Sequence, residues 1–268
     1  IRDLLQDPAN PDRIFIGAGN GILRTLDGGK TWKLVTGWEE SFIEALAMDP
    51  QESSRIYAAS IWGIYLSEDN GDTWRDANNG LEETFSRAIS IDSQNRRHLY
   101  LATGSGVFQS KNQAKTWKRS GNFPDVNVTD LEQSKTNPKL WLAATEGMGI
   151  FLTRNQGKQW ESVIPELAGE NMITVAIDSD DGNRLAVGGW GTGVWLSENA
   201  AGDWIQVRDG LPSLNITELA FDPRVPGRLW VSTFEEGTFY TDDHGLTWET
   251  GNLDGAYVFE IGFGDFDR

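Results

Sequence analysis

Thr25-Leu-Asp-Gly-Gly-Lys-Thr-Trp32 is the first of six segments in this chain that share one pattern. Each segment begins with Ser or Thr, has Asp or Asn at its third position and Gly or Ala at its fifth, and ends with Trp. The other five are Ser67-Glu-Asp-Asn-Gly-Asp-Thr-Trp74, Ser110-Lys-Asn-Gln-Ala-Lys-Thr-Trp117, Thr153-Arg-Asn-Gln-Gly-Lys-Gln-Trp160, Ser197-Glu-Asn-Ala-Ala-Gly-Asp-Trp204 and Thr241-Asp-Asp-His-Gly-Leu-Thr-Trp248. Successive tryptophans are 42 to 44 residues apart. The chain is therefore a repeat, and its period indicates the fold.

Each repeat also has a basic residue upstream of its box, followed by a run of apolar and β-branched residues. These basic residues are Arg13, Arg55, Arg97, Lys139, Arg184 and Arg228. A period of about 40 to 45 residues built from short strands is typical of β-propeller blades. In the sixth repeat, alternation and turn residues predict four strands, labelled A to D, at 217–221, 229–233, 237–240 and 248–250. Glycines interrupt every window that could form an amphipathic helix, so a helical repeat is excluded.

The six segments resemble Asp boxes, also called bacterial neuraminidase repeats. This resemblance implies a β-propeller in which each box lies on the hairpin between strands C and D, as in sialidases, xyloglucanases, sortilin-type receptors and photosystem II assembly factors. It covers nearly the whole chain. It implies no single function, because the motif occurs in enzymes, binding proteins and scaffolds alike.

The blade number follows from counting repeats. Residues 1–250 supply six A-B-C-D repeats, and Phe259-Glu-Ile-Gly-Phe263 resembles one further strand A. We expect an all-β, single β-propeller domain over residues 1–268, with six four-stranded blades favoured. The alternative is seven blades, one of them partial or trimmed.

Composition narrows the possible functions. The chain of 268 residues has 40 acidic and 23 basic side chains and a formal net charge of −17. Such a surface repels phosphate backbones and anionic lipids, so we expect no nucleic-acid partner and no membrane attachment. With no cysteine and only His98 and His244, disulfides, thiolate chemistry and zinc cages are excluded. We therefore expect no metal site and no cofactor.

Localisation stays open from the sequence. The first residues, Ile1-Arg2-Asp3-Leu4, have neither the basic region nor the apolar run of a signal peptide, although a processed terminus would look the same. No apolar stretch of about 18 residues predicts insertion into a membrane. The acidic excess slightly favours an exported protein, periplasmic or extracellular, and we expect a monomer.

The box residues are interpreted as scaffold. The third-position side chain can hydrogen-bond the hairpin backbone, and the tryptophan can pack against the neighbouring sheet. Six copies of one ligand site are also a poor match to a single function. The residues assigned this structural role are Asp27, Trp32, Asp69, Trp74, Asn112, Trp117, Asn155, Trp160, Asn199, Trp204, Asp243 and Trp248.

Candidate binding residues lie where the repeats differ, in the loops between strands B and C and between strand D and the next strand A. In a propeller these loops share one face. Aromatic and acidic side chains predominate there, and exposed rings beside carboxylates suit sugar rings, which present C–H groups and hydroxyls. The predicted ligand-binding residues are Trp38, Trp62, Trp190, Tyr257, Asp125, Glu146, Glu235 and Glu236. The alternatives are loops that fold over a central channel, ordinary solvated charge, or a loose calcium site.

Three functions follow from this pattern. The first is recognition of a neutral glycan or a protein at the loop face. The second is glycoside hydrolysis by a pair of loop carboxylates, because such catalysis needs only two suitably spaced carboxyl groups. The third is a role as an assembly or scaffold factor. The sequence lacks the Arg-Ile-Pro segment that a sialidase would need. Of these functions, one without enzymatic activity is favoured.

Overall fold

The computed structural model describes residues 1–263, which form six four-stranded antiparallel sheets with the strands of each sheet in chain order. One 3-10 helix, Pro165–Leu167, is the helical element of the described chain. The chain divides into two compact units, Ile1–Ser120 and Gly121–Phe263, each with three sheets. The prediction of a single domain over residues 1–268 stays a prediction.

The first unit contains strands β1 to β12. Its sheets are β1 (Asp3–Asp7), β2 (Asn10–Ala18), β3 (Gly21–Thr25) and β4 (Lys33–Leu34); β5 (Ile43–Met48), β6 (Ile56–Ser60), β7 (Gly63–Ser67) and β8 (Arg75–Asp76); and β9 (Ser86–Ile91), β10 (Leu99–Thr103), β11 (Gly106–Ser110) and β12 (Lys118–Arg119).

The second unit contains strands β13 to β24. Its sheets are β13 (Val128–Gln133), β14 (Trp141–Thr145), β15 (Gly149–Thr153) and β16 (Glu161–Ser162); β17 (Met172–Ile177), β18 (Leu185–Gly189), β19 (Gly193–Ser197) and β20 (Ile205–Val207); and β21 (Ile216–Phe221), β22 (Leu229–Thr233), β23 (Gly237–Thr241) and β24 (Glu249–Thr250).

The core of each unit lies between consecutive sheets. Every residue of β6, β7, β10, β14, β15 and β18 is buried. These central strands are largely apolar rather than alternating, with a buried Ser or Thr at the end of five of them, because a sheet covered on both faces has no solvent-facing side. The two-residue D strands are largely exposed. In the first unit, for example, Tyr57 and Leu66 pack with Leu101 and Phe108 of the next sheet.

The boxes stabilise their own hairpins through a hydrogen-bond set that recurs in all six. In the first box, the Thr25 hydroxyl donates to Asp27 and accepts from the Gly29 N–H, while the Thr31 N–H donates to Asp27 Oδ1 at 2.9 Å. The same three contacts recur at 2.8 to 3.1 Å in the other boxes. Each box thus satisfies the polar groups of its own turn.

The fourth and fifth residues of every box have positive φ, which glycine or asparagine adopts readily and alanine does not. The fifth box has alanine at both positions, Ala200 (φ 55°) and Ala201 (φ 67°). A left-handed conformation costs an alanine about 1 kcal/mol. We expect Ala200→Gly to raise the free energy of unfolding by about 0.5 to 1 kcal/mol, measured by urea denaturation. The same change at Ala186, which lies in extended strand β18, should lower it.

The box tryptophans differ in burial. Trp117 and Trp160 are buried, at 2% and 5% exposure, and Trp74, Trp204 and Trp248 are half-buried. Trp32 is the exception, because it is 40% exposed and the packing against a neighbouring sheet expected from the sequence does not bury it. The indole N–H of Trp117 donates to the Ala77 carbonyl of the preceding sheet, whereas that of Trp32 donates to Gly29 in its own box.

A recurring aspartate closes five of the turns between strands A and B. The carboxylate of Asp7 accepts a hydrogen bond from the Ala9 N–H at 2.9 Å. The same contact, with the N–H two residues later in the chain, is made by Asp49, Asp92, Asp178 and Asp222. The local ion pair forms between Arg13 and Asp7 and between Arg184 and Asp178. Arg228 pairs instead with Asp242 at 2.7 Å, so the recurring basic residue does not always bind its own turn.

The segment after β24 differs from the prediction. Residues 251–263 contain no strand, so the expected strand at 259–263 is wrong. The segment is nevertheless held to the sixth sheet, because the hydroxyls of Thr217 and Ser232 donate to the Val258 carbonyl at 2.8 and 3.0 Å. Thr129, two sheets earlier in this unit, donates in the same manner to the Met172 carbonyl of the sheet that follows it. The segment thus takes the place of a following strand A without forming a strand ladder.

Candidate functional site

Seven of the eight predicted ligand-binding residues lie in loops between strands, and Tyr257 lies in the segment after β24. Trp38 and Trp62 belong to the first unit, and the other six belong to the second. Asp125, Glu146 and Glu236 are exposed, and Glu146 forms a β-bridge with Asn171. The four predicted aromatic residues expose large fractions of their surfaces, from 49% for Trp190 to 83% for Trp38.

Three aromatic rings of the second unit form a continuous row, which we call the aromatic ladder: Trp190, Phe234 and Tyr257. Phe234 lies between the other two, with ring centroids 4.9 Å from each and near-perpendicular rings. Such edge-to-face packing is favourable and leaves the outer rings open to solvent. The Tyr257 hydroxyl donates to the Glu235 carboxylate, and this bond raises the pKa of Tyr257. The structure thus joins three predicted residues, Trp190, Tyr257 and Glu235, through the central ring of Phe234.

Asn215, just before β21, anchors both loops of the ladder. Its backbone carbonyl accepts from the Phe234 N–H and its side-chain oxygen accepts from the Gly191 N–H, both at 2.9 Å. Glu235 has φ 65°, an unusual conformation for glutamate that turns the loop towards Tyr257. Asn215 was not among the residues predicted from the sequence. A signal was present, because Asn127, Asn171 and Asn215 recur at intervals of 44 residues.

The same backbone hydrogen bond fixes the position of the first residue in three consecutive B–C loops. The N–H groups of Glu146, Trp190 and Phe234 donate to the carbonyls of Asn127, Asn171 and Asn215 at 2.9 to 3.0 Å. These three loop residues therefore occupy equivalent positions on equivalent backbones. Their side chains differ while their placement does not.

The first unit carries its own exposed aromatic group, which we call the first-unit patch: Trp38, Phe42 and Trp62. The rings of Phe42 and Trp62 meet edge to face with centroids 6.4 Å apart. Trp38 lies four residues before Phe42 in the same loop. This patch belongs to the first unit, and the aromatic ladder belongs to the second.

A cavity of about 420 Å³ in the second unit is lined mainly by its three A strands. Four carboxyl groups and one lysine line it: Asp130, Glu132, Glu218, Glu260 and Lys135. Burial and the negative charge of Asp130 raise the pKa of Glu132 to about 8, and burial also raises the pKa of Asp130. A strongly raised pKa marks a group held in a low-dielectric environment.

Asp130 and Glu132 also connect two sheets. Asp130 Oδ2 accepts from the Val175 N–H and Glu132 Oε2 from the Ile177 N–H, each at 2.9 Å. Asp3 makes the equivalent contact in the first unit, where its carboxylate accepts from the Leu46 N–H at 2.6 Å, whereas the second sheet has Ala45 and Ala47 at the positions of Asp130 and Glu132. Asp130 and Glu132 were not predicted as site residues, because the candidates were taken from loops rather than from the A strands.

Within residues 1–263, no group of three or more His, Asp or Glu side chains is arranged to hold a metal ion. The described chain likewise contains no helix with the length and apolar character needed to cross a bilayer.

Comparison with known proteins identifies the architecture. The BNR/Asp-box repeat profile matches residues 239–250, the segment containing the sixth box. No curated protein sequence matches the chain significantly. Solved structures of similar fold include an ancestral GH74 enzyme with a TM-score of 0.77 and 18% identity over 92% of this chain and 38% of that one.

Two further solved structures match this chain over a larger share of their own length. The GH74 xyloglucanase from Xanthomonas campestris has a TM-score of 0.59 and 13% identity, over 93% of this chain and 58% of that one. YCF48 bound to D1 peptide has a TM-score of 0.67 and 16% identity, over 92% and 83%. The chain thus spans well under two thirds of the length of the two enzymes. At these identities the likeness concerns the fold. The predicted architecture is confirmed: the sixth box is a BNR/Asp-box repeat, and the chain has the fold of an Asp-box β-propeller with six four-stranded blades.

Proposed function

We propose that the chain binds a neutral glycan at the aromatic ladder and does not hydrolyse it. The observation that carries this proposal is the row of Trp190, Phe234 and Tyr257, whose outer rings are about half exposed. A flat ring offers an apolar surface to the C–H face of a sugar, and a neighbouring carboxylate accepts hydrogen bonds from its hydroxyls. Glu235 supplies that acceptor, held in place by the Tyr257 hydroxyl.

Charge supports a neutral ligand. The net charge of −17 disfavours the approach of uronic acids and of sulfated or phosphorylated sugars. Two of these negative charges, on Glu235 and the exposed Glu236, lie near the ladder. Because a xyloglucanase shares the fold, xyloglucan oligosaccharides are suitable first probes beside other neutral polysaccharides.

The test is a calorimetric titration of neutral and uronate-containing oligosaccharides into the wild type and two variants. We expect the wild type to bind a neutral oligosaccharide, and Trp190→Ala and Tyr257→Ala to weaken that binding about tenfold or more, which corresponds to about 1.4 kcal/mol. Trp38→Ala is the matched control, because it removes a more exposed tryptophan from the other unit. Unchanged affinity in both ladder variants, or preference for uronates, contradicts the proposal.

An assay for reducing ends on the same oligosaccharides separates binding from catalysis. We expect no release of product by the wild type. If product forms and Glu235→Gln abolishes its release while the oligosaccharide still binds, the ladder belongs to a glycoside hydrolase, and the proposal of binding without turnover is wrong.

A further inference from the structure

The first-unit patch is unusual in how little of it is covered. Trp38 is 83% exposed, and about half of the surface of Phe42 and of Trp62 is exposed. Isolated apolar side chains are common on protein surfaces, but neighbouring exposed rings of this size mark interaction sites. Tryptophan is also among the residues that contribute most to protein interfaces.

The loop that carries Trp38 and Phe42 is held in place by hydrogen bonds. The Tyr65 hydroxyl donates to the Glu39 carbonyl at 2.8 Å, and the Ser60 hydroxyl donates to the Ser41 carbonyl at 2.6 Å. The Phe42 N–H donates to the Gly19 carbonyl at 3.0 Å. Phe42 has φ 52°, which is rare for a bulky residue and persists only where the surroundings fix it. The loop therefore presents its rings to solvent in one preorganised arrangement.

The charges around this loop are negative. Burial raises the pKa of the Tyr65 phenol, and the charges of Asp76, Glu40 and Glu39 raise it further. The Glu40 carboxylate accepts a hydrogen bond from the Gly37 N–H. Glu44 Oε2 lies 3.8 Å from Arg2 Nε. Three carboxylates thus lie close to Tyr65, on the loop that carries Trp38 and on the neighbouring strand β8.

Aromatic faces beside carboxylates attract cations for two reasons. The ring quadrupole favours an ammonium or guanidinium group over its face, most strongly for tryptophan, and carboxylates add direct attraction. A second copy of this chain also carries −17, so association of two copies is opposed by like charge. A lysine- or arginine-bearing segment from another protein has the complementary charge.

We propose that Trp38, Phe42 and Trp62, with Glu39 beside them, form a docking surface for an extended basic segment of a partner protein. The arginine or lysine side chains lie over the indole rings, and their charged groups face Glu39. This surface lies in the first unit and the aromatic ladder in the second, so the two proposals are tested with different variants.

The test uses a fluorescein-labelled peptide, Gly-Arg-Ala-Lys-Ala-Arg-Gly, and its counterpart with glutamate at the three basic positions. Fluorescence anisotropy should show the basic peptide binding the wild type and the acidic one failing to bind. Because Trp38 and Trp62 carry no charge, Trp38→Ala and Trp62→Ala leave the net charge unchanged. We expect each to weaken binding about five- to thirtyfold, as loss of a cation–π contact implies.

Matched controls separate docking from general attraction to an acidic protein. Glu39→Gln should weaken binding more than Glu166→Gln, which removes an exposed carboxylate in the second unit. Trp190→Ala should bind the peptide as the wild type does. Equal effects of the two glutamate changes, undiminished binding in both tryptophan variants, or no binding by the wild type overturns the proposal. Circular dichroism melts verify that the variants fold, and Trp38→Phe provides a milder second variant.

Discussion

Replacing Trp117 by alanine is expected to lower the free energy of unfolding by about 3 to 5 kcal/mol, the usual range for removing a large core side chain. Trp117 is 2% exposed and packs between the second and third sheets with Phe108 and Ala77. Its indole N–H donates to the Ala77 carbonyl at 2.7 Å, so the substitution also leaves a buried acceptor without its partner. Urea denaturation followed by far-UV circular dichroism measures the change without relying on tryptophan fluorescence.

Trp32→Ala is the matched control for this experiment. It removes the same residue type from the same position of another box, but that side chain is 40% exposed. We expect a loss of about 1 kcal/mol or less, as for surface changes. Equal losses for the two variants would show that the box tryptophans stabilise the protein through their own hairpins rather than through the preceding sheet.

Stability is expected to fall by about 3 kcal/mol as the pH rises from 5 to 8.5, because of Glu132. Its pKa is raised from an ordinary value near 4.5 to about 8, so the folded protein holds this proton where the unfolded chain has released it. A state that binds more protons is destabilised as pH rises, and each pKa unit corresponds to about 1.4 kcal/mol. The stabilisation is complete below about pH 4.5 and is lost as pH rises through about 8.

Urea denaturation at pH 5, 7 and 8.5 measures this dependence. Asp27, Asp69 and Asp243 have pKa values lowered to about 2 by hydrogen bonds within their boxes, so they stay ionised at all three pH values. Glu132→Gln keeps an oxygen acceptor for the Ile177 N–H but cannot titrate, and it should flatten the pH dependence. Glu166→Gln, at an exposed position, should not. A slope that survives Glu132→Gln assigns the effect to another group.

The fold could be predicted because the interactions that define each repeat form between residues close in sequence. The box residues hydrogen-bond within eight residues, so their spacing alone locates the hairpins. Strand B at 229–233 was predicted with the bounds that the structure has, because apolar residues bounded by turn residues define it. The exposure of Trp32 could not be predicted in this way, since it depends on packing against a neighbouring sheet.

The candidate site was partly predictable. Variation between repeats identified Trp190, Tyr257 and Glu235, which the structure joins in one row. It did not identify Phe234 as the ring that joins them, because contacts between consecutive loops depend on how neighbouring sheets pack. Asp130 and Glu132 were missed for a different reason: a carboxyl group buried on a strand looks like solvated charge until its neighbours are known.

The backbone contacts of Asn127, Asn171 and Asn215 have a consequence for engineering. Each fixes the first residue of a B–C loop through a carbonyl and an N–H, so any residue except proline can make the contact. Glutamate, tryptophan and phenylalanine already occupy these three positions, 146, 190 and 234. Side chains at these positions can therefore be exchanged without altering the backbone contact. Randomising the three positions would yield a combinatorial library of surfaces on an unaltered framework.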